Sequence, residues 1–543
     1  MKTKIISTLL LGFFSFSVAL AQEFVEFSDG HVFHISQIKK IRSSWRVFPG
    51  SLSEMLKNDE SIKLFVQALE ETTWMDSLKC YKDMDYTVGS DSIDWTNDAL
   101  VIPTASEYDN VAYMPNRYLA HTLLVEPDKV YKDKGIKTLE DLKSYAKQVY
   151  DAVYPEDAMV TDVTNPRNSL NRFVAYHILP FRAGYYNLTA VDGPNSTLAI
   201  NWNRRKWDIA DWYETCMPYS ILKCSYPNGS QAGLYINRRG VQSRADERGV
   251  FVRGTKVTPT NEMGVVNSGI NGIYHYIDDI IAYDQNTQQV VLNERMRIDA
   301  SALSPDFITS GARGHNTRSS YEGGKYGLWD NTPNHNNKNT CLGFKAGSAE
   351  NFKFDNNTHI HVRPRTLSFW SYQGDEVTIM GNYDVTVKLP PVPAGRYEVR
   401  LGTCTEFDNR GIVAFYIDNV PSDIVDMRPG GETLFGWKSD TSLGDEEVIA
   451  NFDRVIHKKG WMKGPKSYYS SSSESGGTQG SCFRYMSRVL RRVIGTFISD
   501  GKSDHYLRMQ QLLGGITNTM DFDYIEIVPA TVYDDDEYVE DRW

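Results

Sequence analysis

Apolar residues recur every three to four positions between residues 51 and 180, which predicts amphipathic helices. A capping box, Ser51-x-x-Glu54, opens this region by offering side-chain partners to free backbone N–H groups. The apolar faces are Ile62, Phe65, Val66 and Leu69 in one helix, and Leu139, Leu142, Tyr145, Ala146 and Val149 in the next. A third helix is expected within 169–179.

Two strands are predicted beside these helices. Residues 121–128 form an apolar run that ends in Glu-Pro-Asp, so we expect a buried strand followed by a turn. Asn271-Gly272 predicts a second turn, since both residue types tolerate positive φ. The strand after it has two faces: Ile273, His275 and Ile277 on one side, Tyr274 and Tyr276 on the other.

Beyond residue 346 the apolar period changes to two, the period of β-strands. Alternating stretches at 383–389, 397–401, 413–417 and 522–529 are separated by Gly- and Pro-rich turns. Residues 346–530 are therefore predicted to be all-β, as a β-sandwich or jelly roll. The expected fold class is multi-domain, with an α+β first half and an all-β second half.

Three stretches of the first half follow the order of the conserved segments of fasciclin domains. Glu126-Pro127-Asp128 resembles the end of the first segment, although Leu124 stands where that segment usually has Phe. Tyr176-His177 resembles the central Tyr-His motif, and 271–281 resembles the C-terminal Asn-Gly-x-x-His-x-Ile-Asp motif. The resemblance implies an elaborated fasciclin domain, a β core with helices, over 51–285. It implies structural roles for Pro127, Asp128, Tyr176, His177, Asn271, Gly272, His275, Ile277 and Asp278.

The second half resembles galactose-binding-like sandwiches, a fold shared by many carbohydrate-binding modules. The resemblance rests on Leu389–Arg400, on Phe415–Asp418 and on Asp523–Ile527. As a whole, the chain is similar to exported fasciclin-domain proteins of the Bacteroidota type, which often accompany outer-membrane glycan-uptake systems. The expected segments are 1–21 signal peptide, 22–50 N-terminal segment, 51–285 fasciclin domain with insertions, 286–345 junction, 346–530 sandwich and 531–543 acidic tail.

The N-terminal residues predict export. Lys2 and Lys4 precede an apolar run over 5–20, and Ala19-Leu20-Ala21 before Gln22 fits a signal-peptidase site. No cysteine lies near this site, so we expect no lipid anchor there, and no later stretch reaches the ~18 apolar residues of a membrane span. The expected location is the periplasm, the outer-membrane surface or the medium.

Composition narrows the classes of partner. Aromatic residues make up 12% of the chain, which favours β-rich domains and surfaces that stack on ligands. A net charge of −11 without a basic stripe argues against nucleic acid. The six cysteines are too dispersed for a disulfide framework; Cys216 and Cys224 could bridge, and small buried thiols are the alternative.

No catalytic motif is present: His-Glu-x-x-His, Gly-x-Ser-x-Gly and Gly-x-Gly-x-x-Gly are all missing. The histidine pair His359 and His361 has no evident third ligand for zinc, so no metal site is assigned to any residue, and no cofactor is expected. A calcium ion in the sandwich is an open alternative, although no residue spacing identifies one. Trp437, Trp461 and Arg410 are the carbohydrate-binding candidates, because sugars stack on aromatic rings and their hydroxyls suit planar polar groups. The alternative is that both Trp side chains cap the core.

The expected function is non-catalytic adhesion or binding by an exported protein, with a glycan or an envelope protein as partner. Two alternatives remain open. The protein could be a structural subunit that docks onto an outer-membrane glycan-uptake complex. It could also be a glycan-active enzyme, although the missing catalytic motifs favour this alternative less.

Overall fold

The computed structural model describes most of the chain between residues 50 and 534. The described ranges are 50–86, 110–113, 117–185, 187–189, 209–227, 231–241, 243–246, 248–258, 268–269, 271–310, 312–313, 340–363, 372–374, 376–465, 483–515 and 517–534, with two short strands at Val25–Glu26 and Val32–Phe33. The expected signal peptide and the acidic tail beyond residue 534 lie outside the described residues.

The α-helices are Leu52–Lys57, Lys63–Glu71, Trp74–Ser77, Asp128–Asp133, Leu139–Val153, Ser169–Tyr176, Pro305–Thr309, Gly431–Phe435, Asp440–Leu443, Glu446–Lys458 and Ala530–Tyr533. Single turns of 3₁₀-helix occupy Pro155–Asp157, Ala300–Ala302, Tyr372–Gly374, Asp408–Arg410 and Phe483–Tyr485, and a π-helical turn occupies Thr287–Val291.

The strands, in chain order, are β1 (Val25–Glu26), β2 (Val32–Phe33), β3 (Asn110–Tyr113), β4 (His121–Val125), β5 (Ile178–Leu179), β6 (Ile209–Glu214), β7 (Ile221–Tyr226), β8 (Tyr235–Ile236), β9 (Thr255–Thr258), β10 (Ser268–Gly269), β11 (Gly272–Ile277), β12 (Met296–Asp299), β13 (Thr340–Phe344), β14 (Phe352–Lys353), β15 (Thr358–Arg363), β16 (Glu376–Gly381), β17 (Asp384–Lys388), β18 (Gly395–Cys404), β19 (Ile412–Ile417), β20 (Val420–Asp426), β21 (Trp461–Lys463), β22 (Val489–Ser499), β23 (Tyr506–Gln511), β24 (Thr519–Phe522) and β25 (Tyr524–Pro529).

The first half is built on a mixed sheet. Strands β4 and β11 lie parallel, with His121 opposite Gly272 and Leu124 opposite His275. The order β5-β4-β11-β9-β8-β7-β6 continues the sheet, and β10 pairs with β11. The helices predicted from apolar spacing are confirmed at Lys63–Glu71, Leu139–Val153 and Ser169–Tyr176.

Three five-stranded sheets contain the described strands of the second half, in the orders β12-β25-β18-β22-β21, β24-β16-β15-β13-β3 and β14-β17-β23-β19-β20. The coarse prediction of a mixed chain with α+β and β-rich parts is confirmed. Strands β12 and β13 come from the segment predicted as a junction, and β3 comes from a polar insertion of the first half. The two halves therefore share sheets, because backbone pairing does not follow the change in composition.

The prediction of an all-β second half missed a 13-residue helix, Glu446–Lys458. Its sequence carries the usual helix signals. Asp445 caps the N-terminus by accepting from Glu447 N, acidic residues fill the first turn, and His457 and Lys458 stand in the last turn. The helix contacts β21 and thus covers one end of the sheet that contains β22.

A buried carboxylate joins four strands of that sheet. Glu526 on β25 accepts from Arg297 Nε of β12 at 2.7 Å and from Arg400 Nη1 of β18 at 3.2 Å. Arg491 Nη1 of β22 lies 3.2 Å from both carboxylate oxygens. Burial raises the pKa of Glu526, but the guanidiniums, Arg491 foremost, outweigh burial and hold that pKa well below its usual range. Glu526 is therefore charged, and its partners fix the order of these strands.

A second buried network connects the two halves. Arg313 Nη2 lies 3.0 Å from Asp211 Oδ1 on β6 and donates to Gln373 Oε1 at 2.9 Å. Gln373 Nε2 also donates to Asp211 Oδ1 at 2.9 Å. Beside this network, Phe307 packs on Phe344, with ring centres 4.5 Å apart. One continuous hydrophobic core includes residues of both halves, so the halves are in contact through both polar and apolar groups.

We expect Gly272→Ala to destabilise the protein by roughly 1–3 kcal/mol, the usual effect of overpacking. A Cβ at position 272 would lie 2.5 Å from His121 O and 2.5 Å from Leu52 Cδ2, and the backbone oxygen belongs to the paired strand and has no room to move. Thermal unfolding measures the loss. The control is Gly395→Ala, where an exposed Gly meets only the Tyr397 ring at 3.2 Å. Equal melting temperatures for the two variants would contradict this explanation.

Candidate functional site

Most residues of the fasciclin-like motifs are buried and hold elements together, while Pro127 and Asp128 are half-buried and Asp278 is exposed. Glu126 is fully buried and accepts from Tyr131 OH at 2.7 Å, while its other oxygen lies 2.8 Å from His177 Nε2. The second ring nitrogen of His177 lies 2.7 Å from Phe173 O. Both nitrogens of His177 are thus occupied within the protein, which fits the structural role expected from the sequence.

Asn271 connects three separate segments. Its Oδ1 accepts from Leu52 N at 2.8 Å, at the start of the first described helix. Its Nδ2 donates to Leu78 O at 2.7 Å and to Cys80 O at 2.8 Å. The following Gly272 does not have the positive φ expected of a turn; it is required because His121 and Leu52 approach its α-carbon closely. The Asn-Gly pair therefore serves packing as well as chain reversal.

His275 is also held in the interior. Its Nε2 lies 3.1 Å from Ala183 O, and burial lowers its pKa to about 4, so the ring is neutral at pH 7. The opposite face of the strand carries Tyr274 and Tyr276, whose hydroxyls both donate to Asp59 Oδ2. The predicted separation of the two faces is confirmed.

The other motif residues have local partners. Asp128 Oδ1 accepts from Leu64 N at 3.0 Å, and Pro127 precedes the helix that starts at Asp128. Tyr176 OH accepts from Asn237 Nδ2 at 2.9 Å, and Asp278 Oδ1 accepts from Lys256 N at 2.7 Å. Ile277 belongs to the hydrophobic core.

The two predicted Trp candidates differ in exposure. Trp461 is only 4% exposed; its ring stacks on Phe435 at 5.9 Å, and the Arg492 guanidinium lies 5.2 Å from its centre. It offers no open face to a sugar. Trp437 is half-buried against the core, with Lys463 Nζ 5.7 Å from its ring centre. Its Nε1 is buried and makes no hydrogen bond within the part of the chain that the structure describes.

Arg410 lies beside an aromatic ring that the sequence reasoning missed. Phe407 is 40% exposed on the loop between β18 and β19, and the guanidinium carbons of Arg410 and Arg488 lie 5.1 Å and 6.0 Å from its ring centre. We call Phe407, Arg410 and Arg488 the Phe407 platform. A single large aromatic in the polar turn Glu406-Phe-Asp-Asn-Arg410 was the available sequence signal.

Polar contacts fix the position of the platform. Arg410 Nη1 donates to Thr519 Oγ1 at 3.0 Å, and Arg488 Nε lies 3.4 Å from Glu406 Oε2. Gly411, at φ 72°, ends the turn that carries Arg410, and a Cβ there would lie 2.2 Å from the Gln511 amide. The Phe407 ring thus has one guanidinium held by the neighbouring strand β24 and one held by its own loop.

Two buried carboxyls lie on or directly after β24, the strand that bonds to Arg410. Asp521 Oδ2 accepts from Cys404 N at 3.1 Å, and Asp523 Oδ1 accepts from Tyr372 N at 2.6 Å. Burial raises the pKa of Asp521 to about 7, against the lowering effect of Arg410. Burial and the neighbouring Asp521 likewise raise the pKa of Asp523 well above its usual range. A fraction of these carboxyls is therefore protonated near neutral pH.

The described residues form no evident metal site, disulfide between Cys216 and Cys224, or membrane-spanning helix, and the cavity that they enclose beside Arg117 is small. They contain no group of three or more His, Cys, Asp or Glu side chains placed to hold a metal ion. A cavity beside Arg117 and Asp306 measures about 20 Å³, room for one water molecule. Cys216 and Cys224 are separate buried thiols. None of the described helices is long and apolar enough to cross a membrane.

Comparison with known proteins does not identify a family. No family model and no curated protein matches the chain. A xanthan lyase from Paenibacillus is 10% identical over 60% of this chain and 21% of its own, with a TM-score of 0.19. An exo-β-1,3-galactanase from Phanerochaete chrysosporium is 10% identical over 56% of this chain and 54% of its own, with a TM-score of 0.17. The catalytic domain of a GH87 α-1,3-glucanase is 12% identical over 33% and 28%, with a TM-score of 0.16. The chain spans 21% to 54% of these proteins, and such TM-scores carry no argument about it.

We expect His177→Ala to lower the free energy of unfolding by roughly 3 kcal/mol, because it leaves Oε1 of the buried Glu126 carboxylate with only the long contact to Ile281 N at 3.4 Å. Tyr131→Phe, which removes one hydroxyl from the same carboxylate, should cost about 1 kcal/mol. Chemical denaturation of both variants measures the difference. Unchanged stability of His177→Ala together with lost ligand binding would assign the histidine to a binding site instead.

We expect Asp521→Asn to raise the melting temperature at pH 8 by on the order of 2 °C, with a smaller gain at pH 5. A carboxyl with a raised pKa binds its proton more tightly in the folded chain, so its contribution to stability falls as pH rises from about 4 to about 7. An amide has no proton to lose and removes this penalty. The control is Asp408→Asn, an exposed carboxyl of the platform loop. An equal gain at both pH values would contradict the assignment.

Proposed function

We propose that this protein is a non-catalytic, exported binding protein that holds a glycan on the Phe407 platform of a C-terminal β-sandwich. The observation that carries the proposal is an exposed Phe407 ring with two guanidiniums within 6.0 Å of its centre. Sugar rings present apolar C–H faces that stack on aromatic rings, and their hydroxyl oxygens accept from guanidinium N–H groups. The platform offers both kinds of contact on one surface.

The position of the platform supports binding. It lies on a loop between two long strands, and loops fixed by a sheet are common places for recognition residues. The adjacent turn is short and anchored by Thr519, so the ring and the Arg410 guanidinium keep their relative position without a ligand. A preorganised surface loses less conformational entropy when it binds.

The carboxylates near the platform favour binding over hydrolysis. A glycosidase needs two accessible carboxyl groups ~5–9.5 Å apart across the scissile bond. Here Glu406 is paired with Arg488, and Asp521 is buried. That leaves Asp408 as one exposed carboxyl of the platform loop that is unpaired within the described structure, where hydrolysis needs two.

In this proposal the first half is an elaborated fasciclin-like unit that serves as the scaffold. The support is that its three motif regions come together: β4 pairs with β11, and His177 contacts Glu126 at the end of β4. The export signal expected at 1–21 would bring the platform to glycans outside the cytoplasm. Docking of the first half onto an envelope protein is the alternative that the experiment below distinguishes.

We expect Phe407→Ala to abolish retention of the full chain on a glycan that the wild-type protein binds, because an aromatic platform contributes ~1 kcal/mol or more. The measurement is affinity electrophoresis against a panel of plant and microbial polysaccharides. The matched control is Phe251→Ala: Phe251 is 46% exposed, and the Arg238 guanidinium lies 5.2 Å from its ring centre, in the other half of the chain.

Loss of retention with Phe407→Ala but not with Phe251→Ala supports the proposal. If the wild-type protein migrates unchanged on every polysaccharide, glycan binding is refuted and docking onto an envelope protein takes its place. If both variants lose retention equally, the glycan does not bind at the platform.

A further inference from the structure

The charge at the Phe407 platform narrows the kind of glycan that it suits. Arg410 makes one hydrogen bond in the described structure, to the neutral Thr519 hydroxyl, and no described carboxylate lies within 4.0 Å of its guanidinium. Half-buried arginines are normally paired, because removing a charge from water without a partner is costly. An anion on the ligand would supply the missing partner.

The second guanidinium of the platform already has a carboxylate beside it. Arg488 is 36% exposed and lies beside Glu406, which is 42% exposed. Glu406 offsets Arg488, and the exposed Asp408 lies on the same loop, so Arg410 is the guanidinium of the platform that lacks a described carboxylate within 4.0 Å. An anion beside Arg410 is attracted at short range even though the whole chain carries −11, because charges further than ~10 Å are screened at ordinary salt.

The buried Asp521 carboxyl does not cancel the charge of Arg410. Asp521 interacts with Arg410 electrostatically, but its Oδ1 is buried and has no hydrogen-bond partner in the described residues, and its Oδ2 bonds to Cys404 N. The nitrogen of Arg410 that faces inward, Nε, is buried without a partner as well. The two groups are neighbours without a direct ion pair, and so Arg410 remains available to a ligand.

We infer that the Phe407 platform recognises an anionic glycan, in which the ring stacks on the sugar and Arg410 pairs with a carboxylate or sulfate on it. This inference rests on the proposed function. A guanidinium matches both anions, because its planar N–H groups bind two oxygens at once, a geometry that lysine lacks.

The test compares polymers that share a backbone and differ in charge. The uronate pair is polygalacturonic acid and its carboxyl-reduced form, and the sulfate pair is dextran sulfate and dextran. We expect the full chain to bind one of the charged polymers about tenfold or more tighter than its neutral counterpart, the contribution of one charge-assisted hydrogen bond. Binding should weaken from 50 to 500 mM NaCl.

Substitutions at Arg410 test whether the preference for the charged polymer arises at the Phe407 platform. Arg410→Gln should abolish the preference, and Arg410→Lys should retain part of it, since the charge remains and the planar group is lost. The control is Arg428→Gln: Arg428 is an exposed arginine already paired with Asp426 at 2.6 Å and should behave like the wild type. Melting temperatures show that each variant is folded.

Which pair shows the preference identifies uronate or sulfate as the anion. Equal binding to a charged polymer and its neutral form, lost with Phe407→Ala, overturns this inference and leaves the proposed function standing. A charge preference that survives Arg410→Gln overturns it too, because the anion then binds elsewhere. The absence of binding to all four polymers overturns this inference, whereas the proposed function is refuted only if the wild-type protein also migrates unchanged on every polysaccharide of the wider panel.

Discussion

The buried carboxylate of Glu526 is the interaction on which the second half depends. A charge in the interior is tolerated only when partners replace the water that it loses. Arg297, Arg400 and Arg491 provide these partners from three strands that are far apart in the sequence. A register shift of one residue would turn these side chains to the other face of the sheet and leave charges unpaired. The network therefore selects one strand order among several that hydrophobic burial alone would allow.

The same network reaches the helix that covers the sheet. Arg400 Nε donates to Glu398 Oε1 at 2.6 Å, and His457 Nε2 of the helix Glu446–Lys458 lies 3.0 Å from that oxygen. The polar face of the sheet is thus contacted by a helix through His457 and Glu398, while the opposite face packs Ile525, Ile527 and other aliphatic residues into the core. Buried charges specify this arrangement more than they stabilise it, since apolar residues of similar size often serve as well.

The first half follows the same principle on a smaller scale. Glu126 joins a strand, a helix and the segment after β11, because its oxygens bond to Tyr131 and contact His177 and Ile281 N. These polar groups are buried and bonded within the protein. We therefore expect ligand-binding residues on the surface loops. At the Phe407 platform a guanidinium has no carboxylate partner within the described structure, and this imbalance sets the platform apart from the paired interior charges.

The sequence by itself determined the local elements. The capping box at Ser51 located the first helix, apolar spacing located the helices Lys63–Glu71, Leu139–Val153 and Ser169–Tyr176, and period-two alternation located β17, β18 and β19. These signals depend on neighbours along the chain. The pairing of β3 with β13, the meeting of Arg410 with Phe407 and the burial of Trp461 were decided only by the tertiary structure. Each depends on which residues, most of them distant in the sequence, lie opposite. The sequence around Trp461 is the same whether its ring packs on Phe435 or faces solvent.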